Sequence, residues 1–372
     1  MTPQKDTKHI SLLITYQCNL NCSYCYESHK SAKVMAVDNA KQYIIHEVDV
    51  FRKEGKYKEM ELSFMGGEPL MVFDRIKEIA EWWWQQKWEF PSVLFASTNG
   101  TLLTDDMKNW FGKHWNKFVL GLSFDGNETM QNLNRSESAN LVDLDFFYST
   151  WPNQPPKLTI SPQSVNYLAE GIIYLHHKGW GEIMANLAYG IEWNDDAIST
   201  YASQLHILAD YYVEHPQQQR CSLFNIDLTT ALNYDGVMTK FCGCGEGTVL
   251  IDIDGKRYPC QMFAPITLSP AKSREILKKD FRDMNNFIVE KCRTCVLHNV
   301  CYRCYGINYL KYGDMKQQED YLCRTFKVQY LTNCYMTQQL LERGFLKERE
   351  EELRLALEIS DILFSSFNNK ET

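Results

Sequence analysis

Short, nearly all-apolar runs alternate with longer amphipathic ones through the first half of the chain. Runs too apolar to leave one face in water read as parallel strands covered on both sides, and the helix-length stretches between them complete β/α units. Strands are expected at residues 9–15, 61–65, 92–97, 117–123, 157–160 and 182–188. Helices are expected at 37–54, with Asp38 as cap and Gly55 as stop, at 74–88, from near Thr104, at 165–177 and at 195–213. Successive residues of a helix turn by about 100°, so Trp82, Trp83 and Trp84 cannot all face inward. At least one ring is expected to stay partly exposed while the run packs on the sheet. Six such units predict an α/β fold, a partial (β/α)6 TIM-like barrel. Its site should lie at the carboxyl ends of the strands, where glycine and polar residues collect.

The rhythm changes near Cys221, and from Phe241 onward the chain is turn-rich and carries nine of its thirteen cysteines. Beyond Tyr330 it reads as helical, with the charged run KEREEELR. One apolar face of that tail is expected to pack on the body, dimerisation being the alternative. The expected division is residues 1–220, 221–330 and 331–372.

Composition narrows the class. The 372 residues suffice for about two domains, and 44% hydrophobic with 23% charged residues is ordinary for a globular protein. A net charge of −8 without a long basic run argues against nucleic acid as a partner. No apolar run approaches the roughly 18–20 residues of a membrane span. The polar start MTPQKDTKH lacks the apolar core of a signal peptide. Thirteen cysteines without an export signal point to a reducing, cytoplasmic setting and to metal chemistry rather than disulfides.

Directly after the first predicted strand, YQCNLNCSYCY places Cys18, Cys22 and Cys25 in the spacing C-x3-C-x2-C. Three thiolates on one loop can hold three irons of a 4Fe–4S cube and leave the fourth open for chemistry. A structural zinc site would close with four ligands, and no fourth follows here.

Gly66-Gly67-Glu68, Ser97-Thr98-Asn99-Gly100, Ser123-Phe124-Asp125-Gly126 and Arg135 stand at or after successive predicted strand ends. Each is weak alone. Together with the cysteine loop, they resemble the radical S-adenosylmethionine (SAM) superfamily in order and spacing. The resemblance implies that the open iron takes the amino and carboxylate groups of SAM. Gly66 and Gly67 would let backbone approach the methionine amino group. Glu68 would either help anchor that charge or cap the turn. Asn99 and Ser123 would offer neutral hydrogen bonds, Arg135 would pair with the carboxylate, and Tyr24 would pack near the adenine. The alternative for Arg135 is a surface salt bridge.

Later in the chain, Gly255 and Cys260 form G-x4-C, preceded by Cys242 and Cys244. Cys292-x2-Cys295-x5-Cys301-x2-Cys304 and then Cys323 follow. This is similar to the SPASM extension of some radical SAM enzymes, which carries two auxiliary 4Fe–4S clusters. The resemblance implies Cys242, Cys244, Cys260 and Cys304 for the first cluster and Cys292, Cys295, Cys301 and Cys323 for the second. It leaves Cys221 and Cys334 free. The family pattern commonly has three residues before its last clustered cysteine, where this chain has two. Either Cys242 or Cys244 fits the spacing to Gly255, and if only one binds, the first auxiliary cluster keeps an open iron. A zinc ribbon is the alternative for the region.

Radical SAM/SPASM enzymes mostly modify peptides or proteins. The expected function is therefore an oxidoreductase that cleaves SAM reductively and oxidatively modifies a ribosomally made precursor peptide, by a thioether or C–C crosslink. Flavodoxin or ferredoxin is the expected electron donor. Sulfatase-maturating enzymes, which make formylglycine, carry an Asp after the G-x4-C cysteine. Here that position is Gln261, which cannot accept a proton at physiological pH. A peptide is expected to be held by the barrel mouth, the SPASM surface or a separate protein, since the strand near Lys8 leaves no room for a preceding leader-binding domain. The other readings are a formylglycine-generating maturase, a small-molecule dehydrogenase, and a non-catalytic iron–sulfur or zinc binding protein.

Overall fold

The computed structural model describes residues 6–233, 237 and 239–368. The first half runs β1 (Thr7–Thr15), α1 (Val37–Glu54), β2 (Glu59–Gly66), α2 (Phe73–Gln85), β3 (Ser92–Thr98) and α3 (Asp105–Lys113). It continues with β4 (Phe118–Leu122), α4 (Glu128–Asn134), α5 (Leu144–Thr150), β5 (Lys157–Ile160), α6 (Leu168–His177), β6 (Met184–Leu187) and α7 (Asp195–Glu214). The second half holds α8 (Leu228–Leu232), β7 (Thr248–Ile251), β8 (Arg257–Tyr258), α9 (Pro270–Ile276), α10 (Tyr305–Tyr312), α11 (Asp320–Glu342) and α12 (Glu350–Asn368).

The larger sheet has the order β4-β3-β2-β1-β7-β8, parallel except for the β7–β8 hairpin. A smaller parallel pair, β5–β6, joins the end of β4 through a parallel bridge between Ser123 and Lys157. The strands thus form an open arc from β6 round to β8, with no pairing between its two ends among the described residues. All six expected strands are present. β7, which pairs in parallel with β1, adds a strand that the turn-rich second half did not announce.

Strand β1 shows why the arc holds together. Alternate side chains point to opposite faces of a strand. Ile10, Leu12 and Ile14 enter the main core with the helices, whereas Leu13 faces a second core that includes Tyr258, Phe263 and Tyr305. Both faces are dry, so the near-continuous apolar run is required. Helix α1 stops at Gly55, whose left-handed φ of 59° lets its N–H reach the Phe51 carbonyl. Its N-cap is Ala36 rather than Asp38; Asp38 lies in the first turn, where its charge suits the positive end of the helix dipole.

Trp83 is buried at 1% exposure and Trp82 and Trp84 are half-buried, as the turn of the helix demands. Trp83 packs 4.7 Å from Trp88, and Trp84 stacks 5.6 Å from Trp110. In the tail, α12 buries Leu353, Ala356, Ser360 and Phe364 on one face while Leu355 and Ile362 stay exposed. Tyr330 of α11 and Ser360 of α12 are joined by a 2.8 Å hydrogen bond.

Trp83 is the largest fully buried side chain under the sheet. Trp83→Ala should cost about 3–5 kcal/mol, because the cavity cannot fully collapse. A urea titration read by far-UV circular dichroism should show the midpoint falling accordingly.

Candidate active site

The cysteine loop leaves β1 and immediately meets the end of β2. Gly67 donates its N–H to the Thr15 carbonyl at 3.2 Å, and Glu68 donates to the Gln17 carbonyl at 2.7 Å. A Cβ on Gly66 would collide with the Thr15 carbonyl oxygen, and one on Gly67 with that of Gln17. The two glycines are therefore required by backbone packing against the loop. From the other side, Tyr16 donates to Asp252 at 2.6 Å, tying the loop's entry to the end of β7.

Glu68 is buried at 1% exposure and already engaged. Its Oε1 accepts from Leu70 N at 3.0 Å and Thr98 Oγ1 at 2.7 Å, and its Oε2 accepts from Asn99 N at 2.7 Å. It caps the short turn Pro69–Val72 and clamps β2 to β3. Asn99 in turn donates to Asn19 Oδ1 at 3.0 Å, fastening the cysteine loop to the end of β3.

Asp125 organises the opposite side. Fully buried, it accepts from Tyr24 Oη at 2.6 Å, Asn134 Nδ2 at 3.1 Å and Thr159 N at 2.8 Å. It also pairs with Arg135, Nε to Oδ2 at 3.1 Å. The Arg135 guanidinium sits 5.4 Å from the Tyr24 ring centroid; burial pushes the Cys22 thiol up to about 11, and Arg135 acts against that rise. The Arg135 pair is thus internal, not at the surface.

These elements enclose a cavity of about 410 Å³. Its lining includes Cys18, Cys22 and Cys25 and all of Tyr24, Gly66, Gly67, Glu68, Asn99, Ser123 and Arg135. It also includes side chains that the sequence reading left aside, among them Tyr26, Glu27, Lys157, Asn186 and Tyr189. Glu27 is half-buried; burial above all, with Glu68 adding to it against Lys30, pushes its carboxyl up to about 7. Only its place two residues beyond Cys25 marked it in the sequence.

The later cysteines fall into two groups. Cys242 and Cys244 are within hydrogen-bonding reach, and that contact draws the Cys242 thiol below its ordinary range and, with burial, raises the Cys244 thiol well above it. Cys260 feels Cys304 and Cys242, and Cys304 feels Cys242. Cys301 feels Cys323, Cys292 and Cys295. Cys304 therefore stands near Cys242 and Cys260, although only two residues separate it from Cys301. Cys221 lies in the main core, and Cys334 packs against α12 in the same apolar cluster as Cys301. Cys304 and Gln261 also line the cavity, and the Gln261 amide donates to Tyr26 Oη.

Residues 9–111 match the family described as a 4Fe-4S single cluster domain. The chain is 31% identical over 375 aligned positions to a cysteine-type anaerobic sulfatase-maturating enzyme of Clostridium perfringens, covering 86% of this chain and 94% of that one. The chain belongs to the radical SAM/SPASM maturase family. Its fold is shared with native anSMEcpe with bound AdoMet and Cp18Cys peptide, at TM-score 0.65 and 18% identity over 94% of this chain and 99% of that one. It is shared too with Streptococcus suis SuiB bound to precursor peptide SuiA, at TM-score 0.54 and 15% identity over 86% and 76% of the two chains. This radical SAM/SPASM maturase is accordingly an oxidoreductase that uses SAM and three 4Fe–4S clusters. The donor chemistry suits those groups: a three-thiol set opens on a cavity of ligand size, Cys260 stands near Cys242 and Cys304, and Cys301 near Cys292, Cys295 and Cys323.

Two outcomes follow. Gly67→Ala should displace the cysteine loop, lowering stability by about 1–3 kcal/mol and SAM affinity at least about tenfold; denaturant melts and anaerobic equilibrium dialysis check these. Arg135→Met should destabilise by about 3–5 kcal/mol because Asp125 is left buried and unpaired. The double variant Asp125→Asn/Arg135→Met should recover most of that loss in the same melts.

Proposed function

We propose that the enzyme installs a thioether or carbon–carbon crosslink in a ribosomally made precursor peptide, in the cytoplasm, with electrons from a flavodoxin- or ferredoxin-type donor. In this reading residues 1–220 form the SAM-binding barrel, 221–330 the auxiliary-cluster region and 331–372 a packed tail. Cys18, Cys22 and Cys25 hold the SAM-binding cluster. Cys242, Cys244, Cys260 and Cys304 hold the first auxiliary cluster, and Cys292, Cys295, Cys301 and Cys323 the second.

One observation carries the reading: the cavity that opens on the three-cysteine loop also opens on Cys304 and Gln261. When bound, SAM and its cluster supply reductive cleavage and hydrogen-atom abstraction. Cys242, Cys244, Cys260 and Cys304 would hold a cluster able to take the second electron of the oxidation, the substrate's other losses being one hydrogen atom and one proton. The substrate ends two hydrogens lighter, with a new bond. Around it, Gly66 and Gly67 admit the methionine amino group, Glu68, Asn99 and Ser123 shape the strand ends, and Tyr24 borders the adenine. Arg135, held in place by Asp125, receives the carboxylate. Gln261 is committed to Tyr26 and has no basic atom, which disfavours the family's aldehyde-forming deprotonation at that position.

A formylglycine-generating reaction is the second reading, favoured by the 31% identity along nearly the whole length of the sulfatase-maturating relative. Product chemistry separates the two. Anaerobically reconstituted enzyme with about twelve irons per chain should convert SAM to 5′-deoxyadenosine and yield a peptide lighter by two hydrogens, with no aldehyde trapped by a hydrazide. A hydrazide-reactive product would establish the second reading. SAM cleavage with unchanged peptide mass would replace both with epimerisation.

A further inference from the structure

The cavity wall opposite the cysteine loop is made by β5 and β6. On the outer face of this pair, Leu158, Ile160 and Ala185 enter the main core. The alternate positions Lys157, Thr159 and Asn186 face the cavity, with Thr159 and Asn186 in direct register. The side chains of Thr159 and Asn186 make no hydrogen bond among the described residues, so this wall is a row of open polar groups headed by a cation.

Lys157 is the unbalanced charge of the site. Among the acids at hand, Asp125 is taken by Arg135, Tyr24, Asn134 and the Thr159 amide. Glu68 is taken by Thr98, Asn99 and Leu70. Glu27 lies nearer Lys30, and burial pushes its carboxyl up to about 7. No carboxylate among the described residues pairs with Lys157, and the one charge that acts on it, Arg135, repels it. Protein walls and that repulsion both weaken the ammonium's hold on its proton. Lys157 is exposed to the cavity, where an arriving carboxylate can make a short charge-assisted bond with it.

We propose that Lys157, with Thr159 and Asn186 beside it, is the anchor for a substrate carboxylate, so that the peptide taken into this cavity carries an acidic residue near the carbon that reacts. The inference rests on the peptide-maturase reading above. SAM also carries a carboxylate, but Arg135 acts on Cys22 at the cluster end, whereas no thiol acts on Lys157. Lys157 heads β5 beside Ser123, in one cavity-lining row with Thr159 and Asn186.

The test needs no turnover. Acetyl-glutamate N-methylamide and its isostere acetyl-glutamine N-methylamide are titrated calorimetrically into reconstituted, SAM-loaded enzyme. The acid should bind about tenfold or more tightly than the amide. Lys157→Met should abolish that preference and Lys157→Arg should keep part of it, with SAM affinity in both variants within about twofold of the parent. Equal binding of acid and amide by the parent enzyme, or a preference that survives Lys157→Met, overturns the proposal. So does a tenfold loss of SAM affinity in Lys157→Met, which would assign the cation to the cofactor. Failure of the maturase reading shows separately, as absence of 5′-deoxyadenosine or of a modified peptide.

Discussion

At the carboxyl ends of β1 and β2 two stretches of backbone run closer together than side chains would permit. The contact of Gly66 and Gly67 with Thr15 and Gln17 fixes where the cysteine loop begins. Everything downstream inherits that position. Glu68 continues the contact to β3 through Thr98 and Asn99, Asn99 returns to the loop at Asn19, and Tyr16 links it to β7 through Asp252. A loop bearing three thiols cannot order itself through its own packing. Here four strand ends hold it, each by hydrogen bonds from buried groups, for which the penalty of breaking is the full desolvation of the partner left behind.

The same economy of buried charge governs the far side of the cavity. Asp125 accepts four partners from three segments, so that Arg135, Tyr24 and the start of the β5 wall share one fixed point. The pair adds little stability by itself, since desolvating two ions offsets most of their attraction. Its effect is positional: it aims a guanidinium at the cluster loop and keeps the Tyr24 ring beneath it. Lys157 is the contrasting case, a cation in the same cavity with no carboxylate paired to it among the described residues.

Much of this could be read in the chain beforehand, for identifiable reasons. Buried parallel strands are apolar on both faces, so all six strands of the arc stood out. The three-cysteine loop was legible because its residues are adjacent. What escaped was whatever depends on distant partners. The run Thr248–Ile251 is too short to announce a strand, and it becomes β7 because β1 presents a free edge. Asp125 read as half of a turn, since its four partners are spread along the chain. Lys157 read only as the first residue of a strand. Cys304 was assignable by resemblance alone, and the fold places it with Cys242 and Cys260 because the chain turns away into α10 directly after it.

The site therefore has a half that is over-determined and a half that is open. Around the cysteine loop Glu68, Asp125, Asn99 and Tyr16 are each engaged within the protein, and a change there disturbs several neighbours at once. Along β5 and β6 the cavity-facing side chains bind nothing of the protein's own, and at the other margin Gln261 is turned toward Tyr26. Substitutions at Lys157, Thr159, Asn186 or Gln261 leave the strand-end network intact. A chain with this division can keep the machinery that starts the reaction while the identity of its substrate changes along one wall. That is why the cysteine pattern declares the chemistry, while the residues of the β5–β6 face follow no motif.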